Sequence, residues 1–114
     1  MPSIKAYDIK SHLPSCAEAE AELRLILLAN HGGGIIKIIH GYGSTGPGGK
    51  IKTSAHRLLE AELKAKRIAG YIPGEATVKL MGYDNLIRQH YAVLKQDADF
   101  AKGNDGITYV IFRH

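Results

Sequence analysis

A single α/β domain, with elements alternating as β-α-β-α-β, is the fold this sequence predicts. Three observations carry that expectation. Residues 35–39 and 107–112 are β-branched, aromatic-rich runs that read as buried strands. Residues 16–30 and 50–66 are built from good helix formers, with apolar residues at helical spacing. The 114-residue length suits one domain with one core.

In chain order, residues 4–9 alternate as a first strand, and Ser11 to Pro14 break it. Ser15 stands three residues before Glu18, the spacing of a capping box, so a helix is expected from Cys16. Its apolar stripe is Cys16, Ala19, Leu23, Ile26 and Leu27. Three consecutive glycines end it, and residues 35–39 then form a central strand, parallel to the first through a right-handed crossover. A second helix, residues 50–66, buries Ile51, Ala55, Leu58, Leu59 and Leu63. Residues 68–72 make a third strand. Residues 76–106 read as an insertion: a strand or strand extension at 76–81, a helix at 85–96 with Leu86, His90, Val93 and Leu94 inward, and a polar loop. Residues 107–112 are the last strand.

Hydrophobic residues are 45% and charged residues 23%, which excludes disordered and collagen-like chains. The lone Cys16 allows no internal disulfide, no apolar run approaches membrane-spanning length, and no signal-peptide pattern opens the chain. A cytoplasmic location away from membranes is therefore expected. The net charge of +4 is unevenly placed. Residues 35–70 hold seven basic and two acidic groups, whereas the segments on either side are near balance. Such a concentration suits a local anionic partner.

Between the second strand and second helix, residues 40–49 carry five glycines. Glycines let a backbone approach a ligand closely, and free N–H groups at a helix start attract anions. Lys50 and Lys52 stand where a helix dipole disfavours cations, so a phosphate would compensate them. Gly41-x-Gly43-x-x-Gly46 matches a dinucleotide fingerprint in letters, but the next strand ends in Pro73-Gly74 without the required acid. A Walker loop fails because Ser44 falls where its first glycine belongs and Ile51 where its Ser/Thr belongs. The histidines and Cys16 show no paired zinc-ligand spacing.

His40 has two readings: a group that orients or protonates a phosphate, or a strand-end residue capping loop carbonyls. Asp8 would position water or a metal if the first two strands are neighbours; otherwise it pairs with Lys10 or Lys37. Tyr42 either stacks on a base or anchors the loop. Lys50, Lys52, Arg57 and Lys64 are candidates for phosphate contacts or a solvated face. His56 and Glu60 read as a surface i, i+4 pair, and Cys16 as core.

Asp8 in a first strand, the Ala/Glu/Leu-rich helix, and Ile36-Lys37-Ile38-Ile39-His40-Gly41-Tyr42-Gly43-Ser44-Thr45-Gly46 before a basic helix together resemble the small MutS-related (Smr) domain. The resemblance covers residues 4 to about 72, with the last strand matching as well. It implies a sandwich similar to the C-terminal domain of initiation factor three, and nucleic-acid binding. In several members it also implies DNA nicking or RNA cleavage, with magnesium or manganese as the metal of a nuclease. Tyr7-Asp8-Ile9-Lys10-Ser11 stands where the family has Leu-Asp-Leu-His/Arg-Gly, so Asp8 matches, Lys10 keeps the positive charge, and the glycine is lost. The resemblance implies catalytic roles for Asp8 and His40, and nucleic-acid contacts from Lys10, Gly41, Tyr42, Gly43, Ser44 and Gly46. Two other functions compete: a non-catalytic module docking on RNA, DNA or a ribosome-like surface, and a protein-interaction domain with an acidic partner.

Overall fold

The computed structural model describes residues 4–11, 15–41, 46–79 and 81–113, with the backbone alone for 46–49. The elements are β1 (Lys5–Asp8), α1 (Cys16–Ala29), β2 (Gly34–Ile39), α2 (Gly46–Lys64), β3 (Ile68–Pro73), a 3-10 turn (Gly74–Thr77), α3 (Asp84–Gln89), α4 (Tyr91–Leu94) and β4 (Ile107–Phe112). The strands form one mixed sheet in the order β1-β2-β4-β3. β1 and β2 are parallel, and β4 runs antiparallel to both β2 and β3. The fold class is α/β, as the sequence predicts.

The capping box is formed. Glu18 N–H donates to Ser15 Oγ at 3.1 Å, and Ser15 N–H donates to the Glu18 carboxylate at 2.9 Å. Such a cap contributes about 1 kcal/mol. From there α1 lays Ala19, Leu23, Ile26 and Leu27 against the sheet, while Cys16 is half-buried. α2 adds Ile51, Ala55, Leu58 and Leu59, and the sheet answers with Ile36, Ile38, Ile68, Val110 and Phe112.

The insertion covers the sheet's other face. There Ile72, Ile107, Tyr109 and Ile111 meet Ala76 and Leu94, with Leu86, Ile87 and Phe100 packed around them. All six residues of β4 are buried, so this strand presents apolar surface on both sides and needs a cover on both. A buried ion cluster sits under that cover. Lys37 Nζ lies 3.0 Å from Asp97 and 2.7 Å from Asp99, and the Tyr109 hydroxyl donates to Asp97 at 2.7 Å. Burial opposes the Lys37 charge, but bonds to Asp99 and Asp97 outweigh it and raise its pKa.

Three local expectations need correction. α2 starts at Gly46, so Lys50 lies in its second turn and the glycines before it are already helical; Pro47 suits a first turn because its missing N–H costs nothing there. The described residues of 76–81 form no strand: the chain leaves β3 through the 3-10 turn. The helix expected at 85–96 is two short helices broken at His90, whose φ and ψ are −118° and 16°. Gly74 is required at the 3-10 turn, since a Cβ there would lie 1.9 Å from the Asn104 carbonyl oxygen. Among the described residues no helix is long and apolar enough to cross a membrane.

Candidate functional site

Parallel pairing sets Asp8 opposite Ile39, and Ile9 N–H donates to Ile39 O at 3.0 Å. Asp8, Lys10, His40 and Gly41 therefore share one edge of the sheet. The Asp8 carboxylate accepts backbone N–H bonds from Lys10 at 2.8 Å and Ser11 at 3.0 Å, with the Lys10 ammonium 3.6 Å away. Burial pushes the Asp8 carboxyl up, but these bonds prevail and hold it below its ordinary value. Asp8 thus pairs with Lys10, while Lys37 is committed to the ion cluster on the second face.

Gly41 adopts φ +83°, and a Cβ on it would meet Lys10 Cδ at 3.1 Å. The Lys10 stem consequently lies across the start of the glycine-rich loop. The N–H groups of His40 and Gly41 both donate to Gly106 O, at 3.0 and 3.1 Å. Gly41 provides close approach and a left-handed turn, but not the free N–H expected of it.

The His40 side chain is fully buried and both ring nitrogens are engaged. Nδ1 lies 2.9 Å from Gly41 O and Nε2 2.8 Å from Thr108 Oγ1. His56 Nε2 lies 2.8 Å from the same hydroxyl. The proton positions follow from donor arithmetic. A carbonyl only accepts, so neutral His40 carries its proton on Nδ1, and its Nε2 accepts from Thr108. That hydroxyl has one proton, so His56 must donate to it through Nε2–H. The chain runs His56 to Thr108 to His40 to the Gly41 carbonyl. Burial lowers the pKa of both histidines; for His56, with His40 and Lys52 nearby, the value falls to about 4. Both are neutral at neutral pH, so a direction along the chain is defined.

Around this chain the polar groups are mostly paired. Lys52 Nζ donates to Glu75 at 2.8 Å and to Asp105 O at 2.8 Å. Burial disfavours the Glu75 charge, but the Lys52 bond keeps its pKa low; the other carboxylate oxygen, Oε1, is buried without a partner. Tyr71 stacks obliquely on His56, with centroids 5.6 Å apart, and donates its hydroxyl to Glu60 at 2.8 Å. The expected His56–Glu60 surface pair is therefore replaced by two inward contacts, His56 with Thr108 and Glu60 with Tyr71.

Lys50, Arg57 and Lys64 are exposed on α2. Seven-residue spacing keeps them within about 20° of one face per step, over a span of about 21 Å. Lys52 is off this stripe, inside the polar cluster. Gly46 is the first residue of α2. Tyr42, Gly43 and Ser44 lie outside the described residues. Asp8 brings one carboxylate to the edge, and no group of three His, Cys, Asp or Glu among the described residues is arranged to hold a metal ion. The described residues alone therefore supply no divalent-metal centre.

Thr108 and Glu75 have no mark in the sequence as members of this site. His56 does have one: it stands four residues after Lys52 and three before Leu59, beside the apolar stripe that turns inward. Comparison with protein-family models, curated proteins and solved structures gives no match for this chain.

Proposed function

We propose that this chain is a nucleic-acid-binding domain of the Smr type that docks on the sugar-phosphate backbone in the cytoplasm. The observation that carries this reading is the exposed stripe of Lys50, Arg57 and Lys64. Lys10, whose stem crosses Gly41, adds a cation at the ends of the parallel strands, paired there with Asp8. These groups contact phosphates and read no bases, so backbone or structure recognition follows. The complete engagement of His40 within the protein favours docking over hydrolysis.

The test is a fluorescence titration with a labelled hairpin and a labelled single strand at several salt concentrations. Affinity falls with salt, and each of Lys50→Ala, Arg57→Ala and Lys64→Ala flattens the log–log slope by about 0.9 on duplex DNA. Salt-insensitive binding, or a triple variant that binds like the parent, overturns the reading. Hydrolysis is the second reading, favoured by Asp8, an exposed carboxylate held ionised at the same edge. It requires that the chain cut supercoiled plasmid or structured RNA with magnesium or manganese, and that Asp8→Asn abolish the cut.

A further inference from the structure

The insertion carries a groove that neither the polar cluster nor the cation stripe uses. It lies between the 3-10 turn and the two short helices, has a volume of about 550 Å³, and is lined by Ala76, Val78, Lys79, Ile87, Arg88 and Tyr91 among others. That volume is typical of a small-molecule site. Its floor is apolar and open: Val78 is 54% exposed and Tyr91 50%. Large apolar side chains left side by side in water mark a surface that gains from being covered.

The polar groups at the rim define what would cover it. Thr77 is spent, donating to Gly74 O at 2.8 Å and accepting from Ala101 N–H at 3.2 Å. Lys79 and Arg88 offer donors only, and neither forms an ion pair with a described residue. Asp84 is the one carboxylate among the lining residues. Two cations against one carboxylate leave a single positive charge, which one negative charge neutralises. Lys95, which stands over the Tyr91 ring 5.7 Å from its centroid, is not among the lining residues.

We propose that this groove binds a small amphiphilic monoanion, a free molecule with an aromatic or aliphatic body and one carboxylate or sulfonate head. The body lies on Val78, Ile87 and the Tyr91 ring, and the head is held by Lys79 and Arg88. Ile87 belongs to the cluster on the insertion face of the sheet, whereas α2 packs on the opposite face. The two sites are separate, and this one stands whether or not the chain binds nucleic acid.

The probe is 8-anilinonaphthalene-1-sulfonate, followed by fluorescence and by amide chemical-shift mapping of the folded protein. Shifts should centre on Val78, Ile87, Arg88 and Tyr91. Decanoate should displace the probe, while decanol and a 12-residue oligonucleotide should not. Arg88→Glu should weaken binding about tenfold or more, the loss expected for a charged hydrogen bond. Tyr91→Ala should weaken it with the far-ultraviolet circular dichroism unchanged, since both residues are exposed. Shifts centred elsewhere, equal displacement by decanol, displacement by the oligonucleotide, or an unaltered affinity in Arg88→Glu would each overturn the proposal. So would binding confined to anionic phosphatidylglycerol vesicles.

Discussion

Thr108 and Tyr109 are neighbours on β4, yet their side chains enter opposite faces of the sheet and meet opposite chemistries. Thr108 joins two neutral histidines beneath α2. Tyr109, paired across the ladder with Lys37, bonds to the carboxylate that holds that lysine under the insertion. One network buries dipoles and the other buries charges. Losing a partner from buried charges leaves an uncompensated ion, whereas losing one from buried dipoles leaves an unpaired ring nitrogen. The insertion is thus fastened through buried charges, while the α2 side adds directional hydrogen bonds to its Lys52–Glu75 ion pair.

The largest test of that contrast is Lys37→Met, which leaves the Asp97 and Asp99 carboxylates without their cation. It should cost about 3–5 kcal/mol in chemical denaturation; a loss below that of Thr108→Val reverses the ranking. Thr108→Val unpairs both histidine Nε2 atoms and should cost about 2 kcal/mol, whereas Thr108→Ser keeps the hydroxyl and should cost under about 1 kcal/mol. Nitrogen-15 spectra of the parent should show the proton on Nδ1 of His40 and on Nε2 of His56. The same tautomer at both would refute the direction assigned to the chain.

A further test is the pH dependence of stability. Both histidines have lowered pKa values in the folded state, so the unfolded chain binds more protons. Stability should decline as pH falls below the ordinary histidine value of 6.5, with the His56 share complete below about 4. Asp99 and Glu75, lowered by Lys37 and Lys52, add their loss only below the ordinary carboxylate range. His56→Gln should flatten the slope between those limits, and an unchanged slope assigns it to other groups.

What was legible in the sequence follows the distance over which each feature is decided. The Ser15–Glu18 cap closes within three residues, and the isoleucines of β2 mark a buried strand by themselves. The start of α2 was hidden because Gly46, Gly48 and Gly49 read as loop, while the helix accepts them beside a first-turn proline. Residues 76–81 have strand-like composition, but the chain turns away from the sheet after Pro73. The polar cluster was least visible. Its hub, Thr108, meets His56 across 52 positions and His40 across 68, and no local pattern announces either contact. Lys52 and Lys37 raised the basic count of the middle segment, yet Lys37 is neutralised by Asp97 and Asp99 of the insertion and Lys52 by Glu75 of the 3-10 turn. The surviving signal for an anionic partner is the exposed stripe.

The placement of β4 has a consequence for biogenesis. It follows β1, β2 and β3 in the chain but lies between β2 and β3, pairing Gly34 with Phe112. As the polypeptide leaves the ribosome, β3 therefore has no described neighbour in the sheet until residues beyond Gly106 have been made. Until then β2 and β3 expose unpaired edges, the kind of surface through which nascent chains associate with one another.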